Sequence, residues 1–84
     1  MKNSLTIKVI SPGGVLLEEQ ADYVNLPTPD GSVGILPGHS PLIAQLAAGD
    51  IKYRKDGQFS SFPIPESLAE VADNTVTVIA GAAE

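Results

Sequence analysis

The chain has 84 residues, five basic against ten acidic, a net charge of −5 with His neutral, and no cysteine. That length fits one small domain, and 43% hydrophobic residues supply a single core and argue against disorder. The acidic balance disfavours a protein that tracks nucleic-acid phosphates, and the missing cysteines exclude disulfides, thiolate metal sites and a cysteine nucleophile.

Eight glycines and seven prolines punctuate the chain too often for a helical bundle. Turn signals fall at Ser11-Pro12-Gly13-Gly14, Pro27-Thr28-Pro29-Asp30-Gly31, Leu36-Pro37-Gly38-His39-Ser40-Pro41, Gly49-Asp50, Lys55-Asp56-Gly57 and Ala72-Asp73-Asn74. Spacings of about ten residues between turns predict an all-β sandwich or barrel. Leu5, Ile7 and Val9 alternate with Thr6 and Lys8, which predicts a strand with one buried face. Val24 and Leu26 alternate with Tyr23 and Asn25 in the same way. Residues 40–49 are locally ambiguous, because a Ser cap, Pro41 and a closing Gly49 also suit a short helix. Asp56-Gly57 between residues 51–54 and 59–62 predicts a tight hairpin. Residues 75–79 are β-branched throughout and give the clearest strand. No apolar run approaches the ~20 residues of a membrane helix, and no signal-peptide stretch follows Met1. The reading is one soluble, cytoplasmic-type domain over residues 1–84.

Catalytic chemistry finds little support. His39 is the only histidine. It lacks companions for a zinc site, and Ser40 beside it in sequence is poorly placed for a proton relay. A turn or contact role suits it better. Gly31, Gly34 and Gly38 lack the Lys-Ser/Thr of a phosphate loop. Glu18 and Glu19 point to opposite faces of a strand, so they cannot serve one site. Glu66 and Glu70 read as solvated charge. Lys52, Arg54 and Lys55 place three of the five basic residues in one hairpin, with Lys52 and Arg54 on one face and Tyr53 on the other. They read either as an edge guard against strand pairing or as a spot for an acidic partner. No catalytic residue, metal or cofactor is expected.

The segment from Asp30 to Leu42 gathers three glycines and two prolines before Leu42 around His39. It reads as a rigid contact loop, a tight crossover between sheets, or both. Its Gly31-Ser32-Val33-Gly34-Ile35-Leu36-Pro37-Gly38-His39-Ser40-Pro41-Leu42 run resembles the epsilon-subunit family of rotary F-type ATP synthases, in its N-terminal β-sandwich domain. Ile7-Lys8-Val9-Ile10-Ser11-Pro12 and Leu68-Ala69-Glu70-Val71 followed by Thr75-Val76-Thr77-Val78-Ile79-Ala80 extend the similarity over essentially the whole chain.

The resemblance implies a flattened ten-stranded β-sandwich with residues 42–46 as strand. It also implies a non-catalytic rotor part that links the gamma subunit to the membrane ring of c subunits, on the cytoplasmic face of a bacterial inner membrane or its organelle equivalent. By motif position, Asp30, Gly31, Ser32 and Val33 are expected to face the c ring, and Ser11 and His39 to face gamma. The family's two-helix C-terminal domain, with its inhibitory and nucleotide-binding roles, is expected to lie outside these residues. Ser32 stands where the family usually has Glu, and Glu66-Ser67 where it usually has Gly-Gly. A positive φ at that pair would cost Glu or Ser more than Gly. The alternative reading is a free β-sandwich module for a small ligand such as a carbohydrate, served by Tyr23, Tyr53, Phe59 and Phe62. An enzyme ranks third.

Overall fold

A computed structural model describes residues 4–81. Its strands are β1 (Leu5–Ser11), β2 (Gly14–Ala21), β3 (Tyr23–Thr28), β4 (Gly31–Ile35), β5 (Leu42–Leu46), β6 (Gly49–Lys55), β7 (Gln58–Ile64), β8 (Ser67–Ala72) and β9 (Thr75–Ala80). They form a five-stranded sheet ordered β2-β1-β9-β8-β5 and a four-stranded sheet ordered β4-β3-β6-β7. The all-β sandwich predicted from turn spacing is present. The described residues hold nine strands, where the resemblance implies ten. Pro37 and Pro41 cannot donate to a ladder, and residues 36–41 run outside both sheets. No helix among the described residues is long and apolar enough to cross a membrane.

Alternation builds the core. Leu5, Ile7 and Val9 of β1, Val76 and Val78 of β9 and Val71 of β8 turn inward and are essentially fully buried. Val24, Leu26, Ile35, Ile51 and Ile64 meet them from the second sheet. Burying each such side chain contributes ~1.5–3 kcal/mol against exposure. β1 and β9 pair in parallel at the centre of the five-stranded sheet.

The chain changes sheet at Asp22, whose N–H donates to the Arg54 carbonyl at 2.8 Å, and again at Ala47, whose N–H donates to the Pro27 carbonyl at 3.0 Å. Those bonds tie the start of β3 to the end of β6, and the end of β3 to the end of β5.

The ambiguous segment resolves as β5. Leu42 to Leu46 pair with Val71 to Ser67, a gain that one isolated helical turn could not match. Asp56 and Gly57 take φ of 53° and 79° between paired Lys55 and Gln58, as the predicted tight hairpin requires. Neither Glu66 nor Ser67 has positive φ, so the departure from Gly-Gly brings no backbone strain. Ser67 is instead fully buried, donating to the Pro65 carbonyl at 2.7 Å and accepting the Gly81 N–H at 3.2 Å.

Candidate docking surfaces

Among the described residues no group of three His, Asp or Glu side chains could hold a metal ion. His39 Nδ1 lies 2.7 Å from the Ser40 carbonyl. A carbonyl only accepts, so Nδ1 is the donor in this contact. The loop around it is ordered by its own sequence. The His39 N–H donates to the Leu36 carbonyl at 3.1 Å, and Gly38 has φ of 85°. Pro37 and Gly38 therefore occupy the central positions of a turn that requires positive φ at the second.

The expected c-ring set divides by alternation. Asp30, Gly31 and Ser32 are exposed at the β3–β4 turn, whereas Val33 is half-buried and packs on the core. Ser32 faces outward, where its Oγ accepts from Asn25 Nδ2 at 3.3 Å.

The expected gamma pair is separated. Ser11 closes β1 at the end of the five-stranded sheet where β5 finishes beside Ser67. His39 lies at the other end, where the neighbouring Gly38 N–H meets Asn74 in the β8–β9 turn. A strand length, roughly 20 Å, divides them. The β3–β4 turn shares the Ser11 end, since Pro27 bonds to Ala47 just after β5.

One residue in from the Ser11 end of that sheet, an apolar row that sequence reading missed crosses the strands. Ile10 pairs with Val15 and Ile79, Ile79 pairs with Leu68, and Leu68 pairs with Gln45. Cross-strand partners share a face. Because Val9, Val78 and Ala69 point into the core, these neighbours point out. Ile43, next outward on β5, is 77% exposed, Val15 55% and Ile79 42%. Only the register puts them together on the outside.

The outer face of the second sheet differs. Arg54 bonds Asp22 at 2.7 Å, and its guanidinium carbon lies 5.6 Å from the Tyr23 ring centroid and 5.9 Å from that of Phe59. Lys52 and Arg54 share that face while Tyr53 packs on the core, as predicted. The edge-guard reading does not hold, because β6 is an interior strand. Lys55 turns back to bond Glu19 of β2 at 3.5 Å, joining the two sheets. Glu18 and Glu19 do face opposite ways, the first exposed and the second half-buried. An open cleft of about 400 Å³ beside that ion pair is lined by Tyr53, Asp56, Gln58 and Ser60 as well. Its one aromatic wall offers little for a sugar to stack on.

Residues 4–84 match the family described as ATP synthase, Delta/Epsilon chain, beta-sandwich domain. The chain belongs to this family. It is 40% identical over its whole length to the ATP synthase epsilon chain of Desulfitobacterium hafniense, covering 64% of that protein. It is 43% identical to the ATP synthase epsilon chain of Lawsonia intracellularis, covering 63% of it. The chain thus spans less than two thirds of the length of these relatives. The fold is also similar to a chain in the cryo-EM structure of the Euglena gracilis mitochondrial ATP synthase OSCP/F1/c-ring, with a TM-score of 0.85 at 22% identity over 95% of this chain and 52% of that one. A chain of the Tetrahymena thermophila mitochondrial ATP synthase central stalk and c-ring aligns with a TM-score of 0.72 at 17% identity over 94% of this chain and 64% of that one.

Proposed function

We propose that this domain is a non-catalytic docking part of the ATP synthase rotor stalk, transmitting ion-driven rotation between a gamma subunit and the c ring. It lays the outer face of its five-stranded sheet on gamma and turns its β3–β4 loop toward the c-ring loops. It works without a cofactor, peripherally, at the cytoplasmic face of a bacterial inner membrane.

The apolar row from Val15 to Leu68, with Ile43 beyond it, carries this reading. A small acidic domain gains little in water from leaving Val15, Ile79 and Ile43 exposed on one sheet face, and such a patch marks a partner. Since Ser11 and His39 sit at opposite ends of that sheet, one partner touching both must lie across the face between them. The bacterial relatives are named as ATP synthase epsilon chains, and gamma as the partner comes from the resemblance to the epsilon family. A part of this kind needs stiffness and contact area, not tuned ionisation.

The test is association with the purified gamma subunit of a bacterial ATP synthase. Ile43→Glu and Leu68→Glu place a charge on the face without touching the core. Each should weaken gamma binding at least about tenfold, as loss of a central apolar contact does, with an unchanged circular dichroism spectrum. Binding unaffected by both substitutions would remove the face from the reading.

A further inference from the structure

Asn74 stands where a different residue would make the better turn. With Asp73 at φ of 51° and Asn74 at φ of 60°, the two form the tight turn between paired Ala72 and Thr75. Both positions demand the left-handed region, and glycine occupies it at least cost. Local economy therefore favours glycine at position 74, as at Gly57 in the other tight hairpin of this kind.

The asparagine side chain has a second task. Its Oδ1 accepts the Gly38 N–H at 2.7 Å, across 36 residues of sequence, while its backbone carbonyl accepts the Thr6 N–H at 2.9 Å. One residue thus ties the 36–41 loop to the β8–β9 turn and to β1. The tethered amide belongs to Gly38, the residue before His39, inside the turn that sets where the imidazole sits. Residues 36–41 take part in neither sheet, so this bond gives the loop an anchor that no ladder provides.

We propose that Asn74 is a positioning residue, fixing the Gly38 amide so that the His39 loop is held ready for its docking partner. The inference rests on the docking reading above. It assigns the side chain a role in presentation beyond the stability of the sandwich. Holding the loop in advance removes ordering cost from binding, which is how a residue outside the contact can govern affinity.

Asn74→Gly separates the two roles, because it keeps or improves the turn while deleting the acceptor. Asn74→Asp keeps an acceptor and tolerates left-handed φ. In the free 84-residue chain, Gly38 amide exchange should quicken about tenfold or more in Asn74→Gly, with the urea midpoint unchanged or raised. Affinity for the gamma subunit should fall about three- to tenfold in Asn74→Gly and return to within about twofold of the parent in Asn74→Asp. In a His39→Ala background, Asn74→Gly should cost much less, as coupled residues do. Unchanged Gly38 exchange, or faster exchange with unchanged gamma affinity, would overturn this inference while leaving the docking reading intact. A parent chain that does not bind gamma would overturn both.

Discussion

The ring of Tyr23 occupies the space above Gly34: a Cβ on that glycine would stand 3.0 Å from the tyrosine hydroxyl and 3.1 Å from the ring edge. The same hydroxyl accepts from Asn25 Nδ2 at 3.2 Å, and Arg54 lies over the other side of the cluster. Gly34 has no positive φ, so its backbone would accept another residue and only the tyrosine objects. Gly34→Ala should cost about 1 kcal/mol, at the low end of overpacking because the ring is half-exposed and can yield. With Tyr23→Ala already in place the same change should stabilise by about 0.5 kcal/mol, the usual preference for Ala over Gly in a strand. Urea unfolding of the four proteins checks the reversal of sign.

Ser67 supports a different closure. Its hydroxyl is the only link between the Pro65 carbonyl and the Gly81 amide among the bonds described. Ser67→Ala strands both partners at the edge of the core and should cost about 1–3 kcal/mol. A change under about 0.3 kcal/mol by denaturant unfolding would mean that water replaces the hydroxyl without loss.

How far these arrangements were legible from sequence depends on the range of the partner. β1, β3, β9 and the Asp56-Gly57 hairpin follow from alternation and turn chemistry within a few residues. β5 was obscured because its Ser cap, Pro41 and closing Gly49 also suit a helix, and because outward Ile43 between inward Leu42 and Ala44 breaks the period of two. That break belongs to the proposed docking face, the kind of place where local rules yield to function. β2 carries a bulge opposite Val9 and Ile10 that leaves Leu16 unmatched, which blurs its pattern in the same way. Ser67 was judged only as a misplaced glycine, since nothing nearby announces a partner 14 residues on. The apolar row could not be read at all without register, because its members come from β2, β1, β9 and β8. The resemblance to the epsilon family located the loop residues but not their relation in space, which separates Ser11 from His39.

The Asp22–Arg54 pair is close, yet its side chains remain 39% to 42% exposed. Asp22→Asn should therefore cost under about 1 kcal/mol in dilute buffer and almost nothing at about 1 M salt. Arg54→Ala should cost more, about 1–2 kcal/mol, and keep most of that cost in salt, because it also removes the guanidinium from Tyr23 and Phe59. Equal salt sensitivity of the two variants in thermal unfolding would show that the ring contacts contribute nothing.

The β3–β4 turn, proposed to meet the c ring, should make that contact with little dependence on salt. At position 32 the outward side chain is a neutral hydroxyl accepting from Asn25, and Asp30 is the acid nearest to it in the turn. A contact made through an exposed carboxylate weakens as the Debye length shrinks from about 10 Å at 0.1 M to about 3 Å at 1 M. A contact made through a hydroxyl and backbone groups has no such dependence. In a complex assembled with gamma, association of this domain with the c ring should change less than about threefold over that range. Ser32→Glu should steepen the dependence, while Asp30→Asn should flatten what remains. Steep weakening of the parent complex by salt, unaltered by Asp30→Asn, would place the electrostatic contact elsewhere on the domain and remove this turn from the interface.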